Sequence, residues 1–283
     1  MKYFKTDGIR GVFGASEKAK QILLNLLDKN TDSYKSHILL AKIYESEGGN
    51  RKAIDEYVQA IDINKKDYDS YFKVACLLDG LDKKEEATQM LTGLLNKKPD
   101  YEKASILLGD LLIQNQMYKE AVNVYHEALK YNELSFDLNY SLGIVYTMLN
   151  DFQNAKDYYE KAAQINSLSY NSKYSLAEIE LIYKELDEAE KYFMQALEDD
   201  ELAADSYYEL SKIAMVRGDK DKAINYANVA IDANSAKIVP KIKKDPIFIP
   251  IMARISIPFN LQNGIDNDEK KNKLKAKEIK AKE

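Results

Sequence analysis

A chain of 283 residues can hold one or two ordinary domains or one extended repeat array. With 45% hydrophobic and 31% charged residues it can bury a core and keep a solvated surface, and a net charge of −5 argues against a protein built mainly to hold nucleic acid. The single cysteine, Cys76, excludes an internal disulfide or a multi-cysteine zinc site, so a reducing, cytoplasmic setting is expected; no apolar leader is expected, and no stretch approaches the roughly 20 apolar residues of a membrane helix.

The chain opens MKYFKTDGIRGVFG, with Thr6-Asp7-Gly8-Ile9-Arg10-Gly11 at its centre. Residues 2–13 resemble the N-terminal signature of bacterial phosphoglucosamine mutases, although that family usually has glycine where this chain has Lys5. The resemblance implies a segment lining a sugar-phosphate site, with Arg10 as its contact residue. The family also needs a phosphorylated serine in a Ser-His-Asn setting, an Asp-Gly-Asp-Gly-Asp metal loop and a phosphate-binding loop near its C-terminus. None of these is in the chain, and its two histidines, His37 and His126, fall singly in different stretches. A sugar-phosphate enzyme is therefore the rival reading. A fused or recombined gene start, or a start inside a longer repeat protein, accounts for the segment better. Gly8 and Gly11 would each cost about 1 kcal/mol inside a helix, so residues 1–14 are expected to be irregular.

Residues 15–33 contain the helical stretch SEKAKQILLNLLDKN, with leucines on more than one face. It reads as the second helix of a repeat whose first helix is missing. Tyr3, Phe4, Ile9, Val12 and Phe13, or a second copy of the chain, are expected to cover the spare leucine face.

A step of 34 residues then organises the sequence. Ala19, Ala53, Ala87, Ala121, Ala155, Ala189 and Ala223 keep it without a break. Ala41, Ala75, Gly109, Gly143, Ala177 and Ser211 form a second small series, and Tyr57, Leu91, Tyr125, Tyr159 and Phe193 a bulky one. Small side chains let paired helices approach, and bulky ones fill the space beside the crossing. Gly48-Gly49-Asn50, Asn150-Asp151 and Gly218-Asp219 read as turns within repeats, and Lys98-Pro99-Asp100 as a break between two. This pattern resembles the tetratricopeptide repeat. The resemblance implies an all-α, right-handed α-solenoid of helix-turn-helix units, with six repeats at 34–67, 68–101, 102–135, 136–169, 170–203 and 204–237.

It also implies a partner-binding groove lined by the first helices. Family geometry turns the second, fifth, ninth and twelfth residues of each repeat toward that groove. The fifth are Ile38, Phe72, Ile106, Tyr140, Tyr174 and Tyr208, and the ninth include Lys42, Asp110, Ile144, Glu178 and Lys212. Apolar groove residues in the third to fifth repeats, flanked by mixed charges, suit an amphipathic helix or an extended apolar peptide, so a protein or peptide partner is expected. Lys42 and Lys212 lie four to five repeats apart, so a grip on a C-terminal carboxylate is not expected. Neither catalytic residues nor a cofactor or metal is expected.

After Ala236 the register stops. Pro240 should end or kink a helix, and Asp245-Pro246 is a helix-start signal. Ile238, Val239, Ile242, Phe248 and Ile251 are expected to cover the last repeat as a capping segment over 238–262. Residues 263–283, with seven lysines against five acids, read as a solvated, disordered tail. RNA association through those lysines is a third reading.

Overall fold

The 34-residue step is written in the backbone as well as in the side chains. Gly48, Asp82, Gln116, Asn150, Lys184 and Gly218, each 34 from the next, all adopt the left-handed conformation, with φ between 58° and 81°. Each ends a first helix. At five of the six the following amide reaches back five residues: Gly49 to the carbonyl of Tyr44 at 2.8 Å, Lys83 to Leu78 at 2.9 Å, Met117 to Leu112 at 2.8 Å, Glu185 to Glu180 at 2.9 Å and Asp219 to Ala214 at 2.9 Å. The left-handed residue's own amide reaches back three, as Gly48 does to Glu45 at 3.1 Å, and this double closure satisfies orphan carbonyls of the helix end and turns the chain back on itself. Glycine meets the left-handed requirement freely at 48 and 218. Aspartate, glutamine and lysine accept a cost of roughly 1–2 kcal/mol for it at 82, 116 and 184.

The structure is a computed structural model that describes residues 17–28, 34–258 and 261. The mutase-like segment, its expected irregular course and the lysine-rich tail lie outside the described residues. Among these the chain is helical, with no strand. It divides into two compact units, 1–150 and 151–283.

In the first unit α1 covers 17–28. Three hairpins follow: α2 (Tyr34–Ser46) with α3 (Asn50–Ile63), α4 (Tyr68–Gly80) with α5 (Lys84–Lys97), and α6 (Glu102–Gln114) with α7 (Tyr118–Leu129); α8 (Phe136–Met148) closes the unit. From α3 to α8 each helix packs on the one before it in the chain. Ala41, Ala53, Ala75, Ala87 and Ala121 are fully buried at the crossings. Gly109 shows why the crossings need small residues. A Cβ added there would overlap the ring of Tyr125. Asp67 and Ser135 cap the helices after them, accepting from the amides of Ser70 and Leu138.

The second unit holds α9 (Phe152–Ile165), α10 (Tyr170–Tyr183), α11 (Leu186–Ala196), α12 (Asp200–Val216) and α13 (Lys220–Lys244). α12 starts at Asp200, a turn ahead of the sequence register, because Asp199 caps it by accepting from the amides of Glu201 and Leu202. The Ser211 hydroxyl, at a small position, donates to the carbonyl of Ala223 at 2.6 Å.

The end of this unit departs from the expected course. The break in α13 falls at Asn234 (φ −156°, ψ 83°), not at Pro240, which lies inside the helical run. The Asn234 side chain accepts from the amide of Lys237 at 3.1 Å and so starts the stretch that follows. Asp245 does begin a new element, but it is a 3-10 helix, Pro246–Arg254, with Pro250 inside it. A second proline without an amide hydrogen denies the α ladder a donor. Ile238, Val239, Ile242, Phe248 and Ile251 are all buried, together with Ile255.

Candidate functional site

Within the first unit the fifth-position side chains keep only part of their surface. Ile38, Phe72, Ile106 and Tyr140 are half-buried, as is Ile144 at a ninth position. Phe72 meets the ring of Tyr101 at 5.6 Å, and Tyr140 stacks on Phe136 at 5.7 Å with 10° between planes. Lys42 and Asp110 are exposed. The bulky series, which fills space beside the crossings, has a second task. Tyr57 passes its hydroxyl to the Glu45 carboxylate at 3.0 Å, where Lys73 also donates at 3.0 Å. Tyr125, in the space left open by Gly109, donates to Asp110 at 3.0 Å. Burial first, then the adjacent carboxylate, pushes both phenols above their ordinary range.

In the second unit Tyr174 is half-buried and meets Phe193 edge-on at 5.3 Å. Tyr208 does not line an open surface. It is buried; its ring meets Phe248 at 5.6 Å, its hydroxyl donates to Asp245 at 3.0 Å, and the ammonium groups of Lys212 and Lys241 both lie 5.3 Å from its ring centre. The capping segment therefore occupies what the repeat pattern assigns to a partner. Lys212 is held by Glu209 at 2.9 Å. Buried Asp205 is held by Lys241 at 2.7 Å and by Lys237.

Glu178 is different. It is exposed, and among the described residues no hydrogen bond or ion pair holds its carboxylate. Its carboxyl is pushed above the ordinary value, first by neighbouring protein that displaces water on one side, then by Glu209 and Asp205, against Lys241 and Lys212. The contrast with Glu45 and Asp110 follows from the bulky series. Their repeats supply a tyrosine hydroxyl, whereas the repeat of Glu178 carries Phe193, which has none. One turn beyond Glu178 on the same face, Ile182 is 49% exposed, and Val216 holds the corresponding place beyond Lys212 at 62%. The four-position pattern omits both, although extending the ninth position by one helical turn would have reached them.

Both histidines have partners. His37 pairs with Glu56 at 2.7 Å, and the His126 ring meets the Tyr146 hydroxyl at 3.1 Å. Burial pushes the Cys76 thiol up, away from a reactive thiolate. Among the described residues no group of three acidic, histidine or cysteine side chains could hold a metal, and no helix is long and apolar enough to cross a membrane.

Tetratricopeptide-repeat profiles match residues 34–67, 106–170 and 184–237, together more than half of the chain. The chain belongs to the tetratricopeptide-repeat family. None of the matched residues falls in the mutase-like stretch. The protein O-mannosyl-transferase TMTC3 of Mus musculus is 27% identical over 150 residues, 48% of this chain but only 16% of the mouse protein. YrrB, a TPR protein with an unusual peptide-binding site, is 26% identical, with a TM-score of 0.56 over 67% of this chain and 98% of its own. The C-terminal part of a TPR repeat-containing protein from Cytophaga hutchinsonii reaches a TM-score of 0.69 over 82% of this chain and 95% of its own. At 11% identity that likeness shows the fold alone.

Proposed function

We propose that this chain is a non-enzymatic interaction scaffold of the cytoplasm that takes a peptide segment of a partner protein along its first helices. The observation that carries the reading is the division of labour between the two helix series. The small and bulky residues of the second helices are spent on packing, with Ala53, Ala87, Ala121, Ala189 and Ala223 fully buried. The first helices keep partly open aromatic, aliphatic and charged side chains at a regular step. Such a surface is a repeat protein's usual route to an extended ligand. The peptide-binding site of YrrB supports the same use. TMTC3 shares too little of its length to lend its transferase activity.

Site-specific photo-crosslinking tests the proposal. A benzophenone side chain at Ile106 or Ile144, on first helices, is expected to trap a partner in cell extract. The same group at the exposed Lys161, on a second helix, is expected to trap none. Adducts from Lys161 alone, or equal adducts from both faces, would place binding elsewhere.

A further inference from the structure

The stripe Tyr174, Glu178, Ile182 runs along one face of α10 at intervals of four residues, about 6 Å per step at 1.5 Å rise. In an extended peptide, side chains two residues apart share a side and lie about 6.6 Å apart. The two spacings match, so a peptide lying along α10 could set alternate side chains against successive members of the stripe. The chemistry of the stripe is an aromatic ring, an unanswered carboxylate and an exposed aliphatic group. Lysines also face this space, but Lys212 and Lys241 are held by Glu209 and Asp205. Exposed Val216 holds the register position of Ile182 on α12, which packs against α10.

We infer that this stripe recognises an extended segment of the form apolar-x-Lys/Arg-x-apolar, with the cation paired to Glu178 beside the Tyr174 ring and one apolar side chain against Ile182 and Val216. The inference rests on the scaffold reading and names the class of partner that reading leaves open. An acidic or uncharged segment would leave Glu178 without a counter-charge at the centre of the contact. A cation over the ring would add an attraction to the aromatic face.

Two labelled probes test it on the full chain by fluorescence anisotropy: Ser-Leu-Ser-Lys-Ser-Leu-Ser and the same peptide with Glu for Lys. The lysine peptide is expected to bind about fivefold more tightly, the factor associated with one rim ion pair. Glu178→Lys should reverse the preference, and Ile182→Ser with Val216→Ser should weaken both peptides alike. These residues are exposed, and circular dichroism would verify that each variant folds. If both peptides bind equally well and lose affinity only on the Ile182 and Val216 changes, the cation pairing is wrong and the groove reading stands. If neither peptide binds, or no change on α10 or α12 alters binding, the groove reading falls and this inference with it.

Discussion

The two ends of the array carry similar apolar sequences and end in different states. At the C-terminal end the last hairpin is closed over. Ile238, Val239, Ile242, Phe248, Ile251 and Ile255 are each at most 7% exposed. At the N-terminal end no side chain of α1 is buried among the described residues, and Ile22 is 60% and Leu26 42% exposed. Facing α1, Leu39 of α2 is 50% exposed, and a hollow of about 410 Å³ opens beside Ala19, Leu23 and Ile43. The groove candidate Lys42 lines that hollow. An amphipathic pattern alone therefore does not decide burial. A helix presents an apolar stripe, and the neighbour that covers it decides whether the stripe becomes core.

The largest effect expected from this contrast comes at Phe248. Phe248→Ala removes a fully buried ring from the closed end and is expected to cost about 3–5 kcal/mol, read by denaturant unfolding. Hydrogen exchange should show the loss in α12 and α13, where the ring packs. A cost below about 1 kcal/mol would mean that the cap is only draped over the last repeat.

Asp205 gives a smaller and pH-dependent effect. Burial works to raise its carboxyl, but hydrogen bonds from Lys237 and Lys241 prevail and hold it below the ordinary value. A depressed folded pKa contributes stability above the unfolded value of about 3.9, and that stability is lost as pH falls through the folded value. Asp205→Asn is therefore expected to cost about 1.5–3 kcal/mol at neutral pH. The variant's disadvantage should shrink in acid as the wild type loses the same pairs. A disadvantage constant from pH 7 to pH 2 would assign the contribution to packing.

The smallest effect belongs to the open end. Ile22→Ser and Leu39→Ser should each change stability by no more than about 0.5 kcal/mol, since both side chains are half or more exposed. A loss approaching 2 kcal/mol at either would show that something outside the described residues covers this face, as the sequence leads one to expect. Light scattering on the same variants would separate a covering segment from a second copy.

The helical architecture was legible because alanine spacing is set by a steric demand that few residues meet. The turns were legible only where glycine or asparagine occupies the left-handed position. Asp82, Gln116 and Lys184 adopt the same backbone with no local signal, since the hydrogen bonds of the helix end impose it. The candidate site was half legible. The fifth and ninth positions follow from periodicity, but the burial of Tyr208 does not. It depends on Phe248 and Asp245, 40 and 37 residues further on, in a segment with no repeat register. The unanswered state of Glu178 was equally hidden, because it turns on a missing hydroxyl at Phe193, on another helix.

The backward hydrogen bonds that close these turns have a bearing on how the chain is made. Every such bond spans five residues, and each hairpin is complete within about one repeat. Contacts this local give a low contact order, and such chains fold fast. At a synthesis rate of roughly 5–20 residues per second a repeat leaves the ribosome every few seconds, ample time for its hairpin to form before the next appears. The exception is the final hairpin. Its apolar face is made with α12 and α13, but Phe248 and Ile251 emerge only afterwards. A nascent chain paused before residue 248 would hold folded repeats with their last face bare, and a product truncated there would be an aggregation hazard despite a sound architecture.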